Sequence, residues 1–490
     1  MKLLSLAFAG HDHSAAFYDG TNIRYIKFER IEQVKRFKYD AIGVMESKAF
    51  EVFETNIDEV DAIVLIQNNR KFATDFVELG SNLFQIGHHY AHALSTDCVH
   101  STKARTHFVI DGLGDGRTWS VFQNNQLIDS GDLSTGSVGW GMREMAKLLG
   151  VKADHRGDFA GKLMSFQSYG NIDSNFLSIL EQYTMKDIIK VFDINTWVKY
   201  KGDSTLDHSS LLDWARTVNH AMHSILLKHF QKYADEADII TYSGGVAQNV
   251  VWNTTLKKHF KNLVVIPHSG DEGLSIGGLK WLMDKFNIES KFDGFPYSQS
   301  DQTVDVPTTD TIQKAARALA EGKTVGWYQG YGEVGPRALG NRSILMDPRQ
   351  KYGKEKMNMI KNRETYRPFG ASVLIEHKDK YFDMGWDDPF MLYTANHKTD
   401  QFPAVTHIDN SCRIQTVDSS NYSFQKLIQC FFELTGCPVV LNTSLNVAGR
   451  PIAGGTKDAI ELFNNSTLDM LVIGNKIYIK KINVIDTDNI

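Results

Sequence analysis

The chain is short of several things. Of its 490 residues only four are cysteine, Cys98, Cys412, Cys430 and Cys437. No two form a C-x-x-C pair, which excludes a zinc ribbon or dithiol motif and points to a reducing compartment, the cytoplasm. No apolar run reaches the roughly 18 residues that span a bilayer, so no membrane partner is expected. Residues 1–9 are briefly apolar but run straight into His11-Asp12-His13-Ser14, and read as a buried first strand rather than a leader. Neither sign of charge dominates. With 53 basic and 58 acidic residues the net charge is −5, which argues against a nucleic-acid-coated chain but leaves room for a local basic groove. Low-complexity tracts and short repeats are absent too.

What is present is length enough for several buried cores. Residues 1–9, 15–18 and 22–28 read as strands separated by a Gly10 turn and an Asp19-Gly20 turn, a hairpin rhythm. Residues 62–66 read as another strand. The theme then returns: residues 108–110 end in Asp111-Gly-Leu-Gly-Asp-Gly116, and residues 119–122 and 127–128 follow as strands. Two units that each open on an acidic, glycine-containing turn predict a duplicated α/β fold. Residues 210–233 carry Leu211, Leu212, Ala215, Val218, Met222, Leu226 and Phe230 at helical spacing. A boundary is expected near 290–310, where the chain is polar and turn-rich, with a helix at 311–319 and a strand at 324–328 opening a second domain. The expected domains are 1–305 and 306–490.

His88 and His92 stand four apart, which on a helix puts both imidazoles on one face. Two histidines packing a helix explain that spacing as well as a metal does. No Glu follows the first, so this is not an H-E-x-x-H zincin. Asp111 and Asp271 each follow a strand and enter a glycine turn, where a carboxylate can grip a metal–nucleotide complex or simply form the turn. Together the four offer nitrogen and oxygen ligands suited to iron, manganese or zinc. Ser243-Gly-Gly-Val-Ala-Gln-Asn249 follows an apolar run. A strand feeding a glycine pair into a helix turns backbone N–H groups toward an anion.

In the second half, Arg337 and Arg342 stand in Gly335-Pro-Arg-Ala-Leu-Gly-Asn-Arg-Ser343. Arg363 and Arg367 flank Glu-Thr-Tyr, and Arg413 follows Cys412. Guanidinium forks bind phosphate oxygens bidentately. Five arginines among glycine and proline suit a small-anion pocket, which Asn442, Thr443 and Ser444 would complete. Arg349 reads as structural.

In this order, and over nearly the whole chain, the segments resemble the O-carbamoyltransferases of nodulation and antibiotic tailoring. The resemblance is carried by His11-Asp12-x-Ser14-Ala-Ala, Glu29-Arg30 with Lys35, His88-x-x-x-His92, Asp111-Gly112, Gly161-Lys162-Leu-Met, Gly244-Gly245-Val-Ala-x-Asn249, Gly270-Asp271, the Gly335 segment, Arg367-Pro-Phe and Asn442-Thr443-Ser444. It implies a duplicated actin-like ATPase (ASKHA) fold for the first half and an α/β second half like threonylcarbamoyl-adenylate synthase. It implies that residues 306–490 make carbamoyl-adenylate from carbamoyl phosphate and ATP. Residues 1–305 would then pass the carbamoyl group to an acceptor hydroxyl at a metal-bound nucleotide. The resemblance places Fe2+, or another divalent metal, on His88, His92, Asp111 and Asp271, with Mg2+ a companion of ATP. It places the nucleotide on Gly112, Lys162, Gly244, Gly245 and Asn249, and carbamoyl phosphate on Arg337, Arg342, Arg363, Arg367, Arg413, Asn442, Thr443 and Ser444. Two positions depart: Arg450 stands where the family has Glu in Gly-Glu-Pro-Ile, and His13 replaces a small residue.

The acceptor hydroxyl must lose a proton, and a near-neutral imidazole suits that task, so His11 is the expected base. Asp12 would orient it or act in its place, and Lys35 would meet the carbamoyl oxygen. The acceptor is a small molecule, sugar or nucleotide; 5-hydroxymethylcytosine in phage-type DNA is an alternative, for which Lys35, Arg36 and Lys38 are a slight basic hint. A carbamoyl-phosphate-using hydrogenase maturation factor would carry cysteine-rich zinc modules that this chain lacks. A non-catalytic nucleotide sensor with an actin-like fold is the alternative outside enzymes. A homodimer is compatible with all of these readings.

Overall fold

The computed structural model describes residues 1–68, 76–99, 104–202, 206–289 and 292–480. Its first sheet is built on β1 (Leu3–Ala7), β2 (Ser14–Tyr18), β3 (Ile23–Lys27), β4 (Ala62–Ile66), β5 (Phe76–Gly80) and β6 (Leu83–Ile86). β1 is buried at every position, because it is central and both faces of the sheet are covered, so it shows no polar alternation. The β2–β3 turn follows from its residues. Asp19 accepts the Thr21 and Asn22 backbone N–H groups, each at 2.8 Å, and Gly20 takes a φ of +105° that a side chain would resist.

The second sheet holds β7 (Thr106–Gly114), β8 (Arg117–Gln123), β9 (Gln126–Asp132), β10 (Ile240–Ser243) and β11 (Leu263–Val265). The two sheets share one plan. Three antiparallel strands run β3-β2-β1 in one and β9-β8-β7 in the other. Two parallel strands are added beside the first, β4-β6 and β10-β11 respectively. This repeated order is the duplicated actin-like arrangement. Each unit opens on its acidic glycine turn, Gly10–Asp12 in one and Asp111–Gly116 in the other.

Helix α1 (His88–Ser95) joins the two sheets, and α2 (Asp158–Phe166) and α3 (His208–Gln231) follow β9. Asp207 caps α3 by accepting the Ser210 N–H at 2.8 Å. Helix α4 (Val250–His259) leaves the Ser243-Gly-Gly turn, and α5 (Leu274–Lys285) packs on α1 and β1. That approach needs glycine: a Cβ at Gly277 would sit 1.8 Å from the Ala91 carbonyl oxygen.

β12 (Gln299–Val304) lies beside β3 in the first sheet. It falls in the stretch that reads as a polar turn-rich connection; its polar side chains are tolerated because it sits near the sheet's rim, where burial is mixed. Residues 290 and 291 of that stretch lie outside the described residues. Helix α6 (Thr309–Ala320) and β13 (Val325–Tyr328) follow, and β14 (Gly330–Gly332) returns to pair with β12. The third sheet contains β13, β15 (Arg342–Met346), β16 (Gly370–Leu374), β17 (Phe382–Asp383), β18 (Thr394–His397), β19 (Ser411–Val417), β20 (Val439–Ser444), β21 (Met470–Ile473) and β22 (Lys476–Ile479), in the order 17-18-19-16-20-15-13-21-22. Helices α6 and α7 (Tyr422–Thr435) pack together over it.

No helix among the described residues is long and apolar enough to cross a membrane.

Candidate metal and transfer site

The ligand cluster forms where the duplicated sheets meet. α1 carries His88 and His92 on one face, and their Nε2 atoms lie 3.2 Å apart. Asp111, at the end of β7, places Oδ2 3.5 Å from His88 Nε2. Asp271, in a short 3-10 turn ahead of α5, places Oδ1 3.6 Å from both Nε2 atoms. The start of α1 is pinned by Asp115, whose carboxylate accepts the His88 backbone N–H. Gly114 must be glycine, since a Cβ there would lie 2.2 Å from the His88 ring.

The four residues are buried and their ligand atoms all fall within 4.8 Å of one another. A metal with ligand bonds of about 2.1 Å sets adjacent donors about 3 Å apart, close to the 3.2 Å between the imidazoles. The donor set therefore fits a divalent ion. Burial opposes charge on His88, but Asp111 and Asp271 outweigh it and hold its pKa up at about 9. Burial also opposes charge on Asp111, yet His88 and His92 hold its carboxyl well below the usual range. Both histidine Nδ1 atoms lack a hydrogen-bond partner, so packing in α1 orients the rings.

Asp111 and Asp271 each reach a second group. Asp111 Oδ1 accepts the Gly245 N–H at 2.9 Å, which ties the cluster to the Gly244-Gly245 turn. Gly244 takes a φ of +90°, and a Cβ there would meet the Ile110 carbonyl at 2.3 Å. Asn249 caps α4 through Oδ1, at 3.1 Å from the Val251 nitrogen, while its Nδ2 is buried without a partner. Gly112 lies in β7 on the same side, its carbonyl accepting from the Ser137 hydroxyl at 2.7 Å. Lys162 is not brought to these glycines: its ammonium bonds Glu364 and the Lys152 carbonyl oxygen.

Asp271 Oδ2 lies 3.6 Å from His11 Nδ1, and Asp12 Oδ2 lies 2.7 Å from the same nitrogen. That arrangement places the ring proton on Nδ1 and leaves the Nε2 lone pair free. Asp12 holds a left-handed φ of +58°, which Asp tolerates better than most residues. It is fixed by Lys27 and Arg36, each at 2.8 Å. Burial opposes its ionisation, and Lys27 and Arg36 overcome that, holding its pKa well down. Lys35 does not reach this group; its ammonium pairs with Asp158 at 2.7 Å. Lys27 and Arg36 are the polar partners that motif reading passes over. Pairing β2 with β3 would have found Lys27, which lies directly across from Ser14.

The second-half arginines divide. Arg337, Arg363, Arg367 and Arg413 form one cluster. Burial, followed by their mutual repulsion, depresses the pKa values of Arg337 and Arg363 far below normal. Arg413 is lowered by burial and Arg367, and the Nε atoms of Arg337 and Arg413 have no partner. Buried cations this crowded call for an anion. Lys361, absent from the sequence-based set, joins them. Burial and then Arg363 and Arg367 lower its pKa, and it donates to the Ser444 and Asn446 carbonyl oxygens. Arg337 Nη2 also donates to the Gln248 carbonyl at 3.4 Å, linking the cluster to the glycine turn of the first half.

Arg342 is elsewhere. It is fully buried, pairs with Asp301 at 3.2 Å, and donates to the carbonyl oxygens of Gln329, Asn341, Gln302 and Gly330. Its guanidinium lies 3.6 Å over the Tyr328 ring. With its donors so committed it braces β15 against β12 and β14, which corrects the expectation that it grips phosphate. Asn442 Nδ2 bonds Ser372 and Gln415 and leaves Oδ1 free. The Ser444 hydroxyl donates to Asn446, and Thr443 lies between them on β20. Arg349 chelates Asp347 at 2.7 Å, as a structural arginine should.

The fold and these clusters define an actin-like α/β protein with a two-histidine, two-aspartate metal cluster and a separate cation pocket. Comparison with known proteins gives the class its family. The carbamoyltransferase N-terminus model matches residues 59–279, and the carbamoyltransferase C-terminus model matches residues 316–481. An uncharacterized protein of Methanocaldococcus jannaschii is 32% identical over 75% of this chain and 77% of its own. Nodulation protein NolNO of Sinorhizobium fredii is 28% identical over 82% of this chain and 64% of its own. The 3'-hydroxymethylcephem-O-carbamoyltransferase of Amycolatopsis lactamdurans is 29% identical over 65% of this chain and 64% of its own. Among solved structures, HypF of T. kodakarensis overlays at a TM-score of 0.40 and 15% identity, over 58% of this chain and 48% of that one. The chain belongs to the carbamoyltransferase family, and it is a carbamoyltransferase.

Proposed function

We propose that the protein is an O-carbamoyltransferase that works in two steps, with residues 306–490 activating the carbamoyl group and residues 1–305 transferring it. In the first step carbamoyl phosphate, ATP and one water give carbamoyl-adenylate, phosphate and pyrophosphate. Arg337, Arg363, Arg367, Arg413 and Lys361 bind the anions, with Asn442, Thr443 and Ser444 at the pocket wall. In the second step the acceptor oxygen bonds the carbamoyl carbon, AMP leaves with the electron pair, and the acceptor proton passes to His11 Nε2.

One observation carries this reading. Asp111 and Asp271 each join the ligand cluster to a second functional group, the Gly245 N–H on one side and His11 on the other. The nucleotide turn, the metal ligands and the base thus form one continuous site. His88, His92, Asp111 and Asp271 would hold a divalent ion, Fe2+ by family resemblance, which when bound supplies positive charge to orient the adenylate and offset the charge of the departing phosphate. Asp12 keeps the proton on His11 Nδ1, and Lys27 and Arg36 keep Asp12 ionised.

The test is incubation with carbamoyl phosphate, ATP and a panel of hydroxyl acceptors, including 5-hydroxymethylcytosine DNA. Mass spectrometry should find a gain of about 43 Da, the mass of a carbamoyl group replacing hydrogen. His11→Ala should lose transfer while still releasing pyrophosphate from ATP in the presence of carbamoyl phosphate. Full transfer by that variant removes His11 from the mechanism.

A further inference from the structure

A cleft of about 320 Å³ opens between the two halves, beside His11. Val34, Lys35, Asp154, His155, Asp158 and Arg450 line it. Three separate stretches of chain supply these walls, and the last comes from the second half.

The cleft adjoins the only part of the transfer site that faces outward. The His11 side chain is 26% exposed, while those of His88 and His92 are 1% and 0%. The His155 ring meets the His11 ring edge-on at 5.5 Å. His155 Nδ1 accepts the Gly157 N–H at 3.1 Å, so its Nε2–H remains as a donor. Arg36 fixes this wall to the base, because one guanidinium bonds Asp12, Asp158 and the Gly157 carbonyl oxygen.

The charges on the walls are balanced. Lys35 and Asp158 neutralise each other. Asp154 and Arg450 have no side-chain partner among the described residues, and they stand on different walls. Gly449, with φ +79°, brings its turn so close that a Cβ would lie 3.3 Å from Asp154 Oδ2. One free carboxylate accepts hydrogen bonds and one free guanidinium donates them. Adjacent hydroxyl groups, which both donate and accept, satisfy that pair. A phosphate-bearing ligand would face Asp154, and an apolar one would leave both charges desolvated. The volume lies at the small end of small-molecule pockets, about 300–1,000 Å³, and suits one or two sugar-sized rings.

We propose that this cleft is the acceptor subsite, that it takes a neutral polyhydroxyl compound such as a saccharide, and that Asp154 and Arg450 select it while its reacting hydroxyl reaches His11 past His155. This rests on the reading of His11 as the base for transfer from carbamoyl-adenylate. It selects a small neutral acceptor over DNA.

The test uses the full chain with carbamoyl phosphate and ATP. The probes are a panel of mono- and disaccharides including N-acetylglucosamine and chitobiose, with 5-hydroxymethylcytosine duplex DNA as the rival. Pyrophosphate release reads the first step, and carbamoylated product reads the second. A saccharide should become carbamoylated, and Asp154→Asn and Arg450→Gln should each raise its KM about tenfold, lowering the ratio of product to pyrophosphate. Both positions are exposed, so both variants should fold. The proposal is overturned if the wild type releases pyrophosphate but carbamoylates no saccharide, or prefers the DNA. It is overturned equally if neither variant shifts the saccharide KM, or if both shift the KM for carbamoyl phosphate instead, which would make the cleft the donor's entrance. Absence of pyrophosphate release by the wild type is a different failure, that of the two-step reading itself.

Discussion

Arg342 and Arg337 stand five residues apart in one glycine-rich segment, and replacing each with Met should move stability in different directions. Arg342 is fully buried against Asp301 and four carbonyl oxygens. Removing it leaves a carboxylate buried and unpaired, which costs about 3–5 kcal/mol, with further loss from the carbonyl groups left without donors. Arg337 is a buried cation repelled by Arg413 and Arg367, with a long bond to the Gln248 carbonyl as its printed hydrogen bond. Its loss relieves that repulsion, so Arg337→Met should be within about 1 kcal/mol of wild type or slightly more stable. Urea titration followed by circular dichroism measures both. Carbamoyl-phosphate-dependent pyrophosphate release then separates roles from stability. Arg337→Met should raise the KM for carbamoyl phosphate at least tenfold, and the Arg342→Met protein that remains folded should not. Equal destabilisation by the two substitutions refutes the division of the arginines, as does a stable Arg342→Met protein that cannot use carbamoyl phosphate.

Three further outcomes follow from the same geometry. His88→Ala and Asp271→Asn should lower bound divalent metal, measured by elemental mass spectrometry on the purified protein, to below one tenth of wild type, while His89→Gln, whose parent bonds Ser120 and the Arg117 carbonyl, should retain it. Gly114→Ala should likewise reduce metal content, because its Cβ would enter the His88 ring, yet pyrophosphate release by the second half should persist. Burial lowers His107 and His223 to about 4 and His229 to about 3, from the usual 6.5. They are neutral when folded and take up protons on unfolding, so their stabilising contribution is full above pH 6.5 and is lost as pH falls toward 4. Three such groups give a slope of about 4 kcal/mol per pH unit near pH 5. Denaturation midpoints that stay flat between pH 6.5 and 5 would contradict this.

The parts of the site legible in the sequence are those whose local geometry is set by neighbours in the chain. His88 and His92 are close because a helix makes them so. Asp111 and Gly245 meet because each ends a strand of one parallel pair, β7 and β10, and parallel neighbours bring their carboxyl ends together. The repeated acidic glycine turn announced the duplication for the same reason. What could not be read is which cations touch which carboxylates, since that depends on registers between distant segments. Lys35 and Arg36 are adjacent, yet Arg36 takes Asp12 and Lys35 takes Asp158, because the left-handed Arg36 backbone (φ +54°) turns the two side chains apart. Arg342 shows the same limit. A guanidinium in a glycine-rich segment suggests phosphate, but β12 folds back beside β14 and delivers Asp301 to it. The polar stretch that reads as a boundary is thus the strand that determines what Arg342 does. Motif order identifies a family because relatives keep the order; it assigns an individual arginine only when the strand opposite is also known.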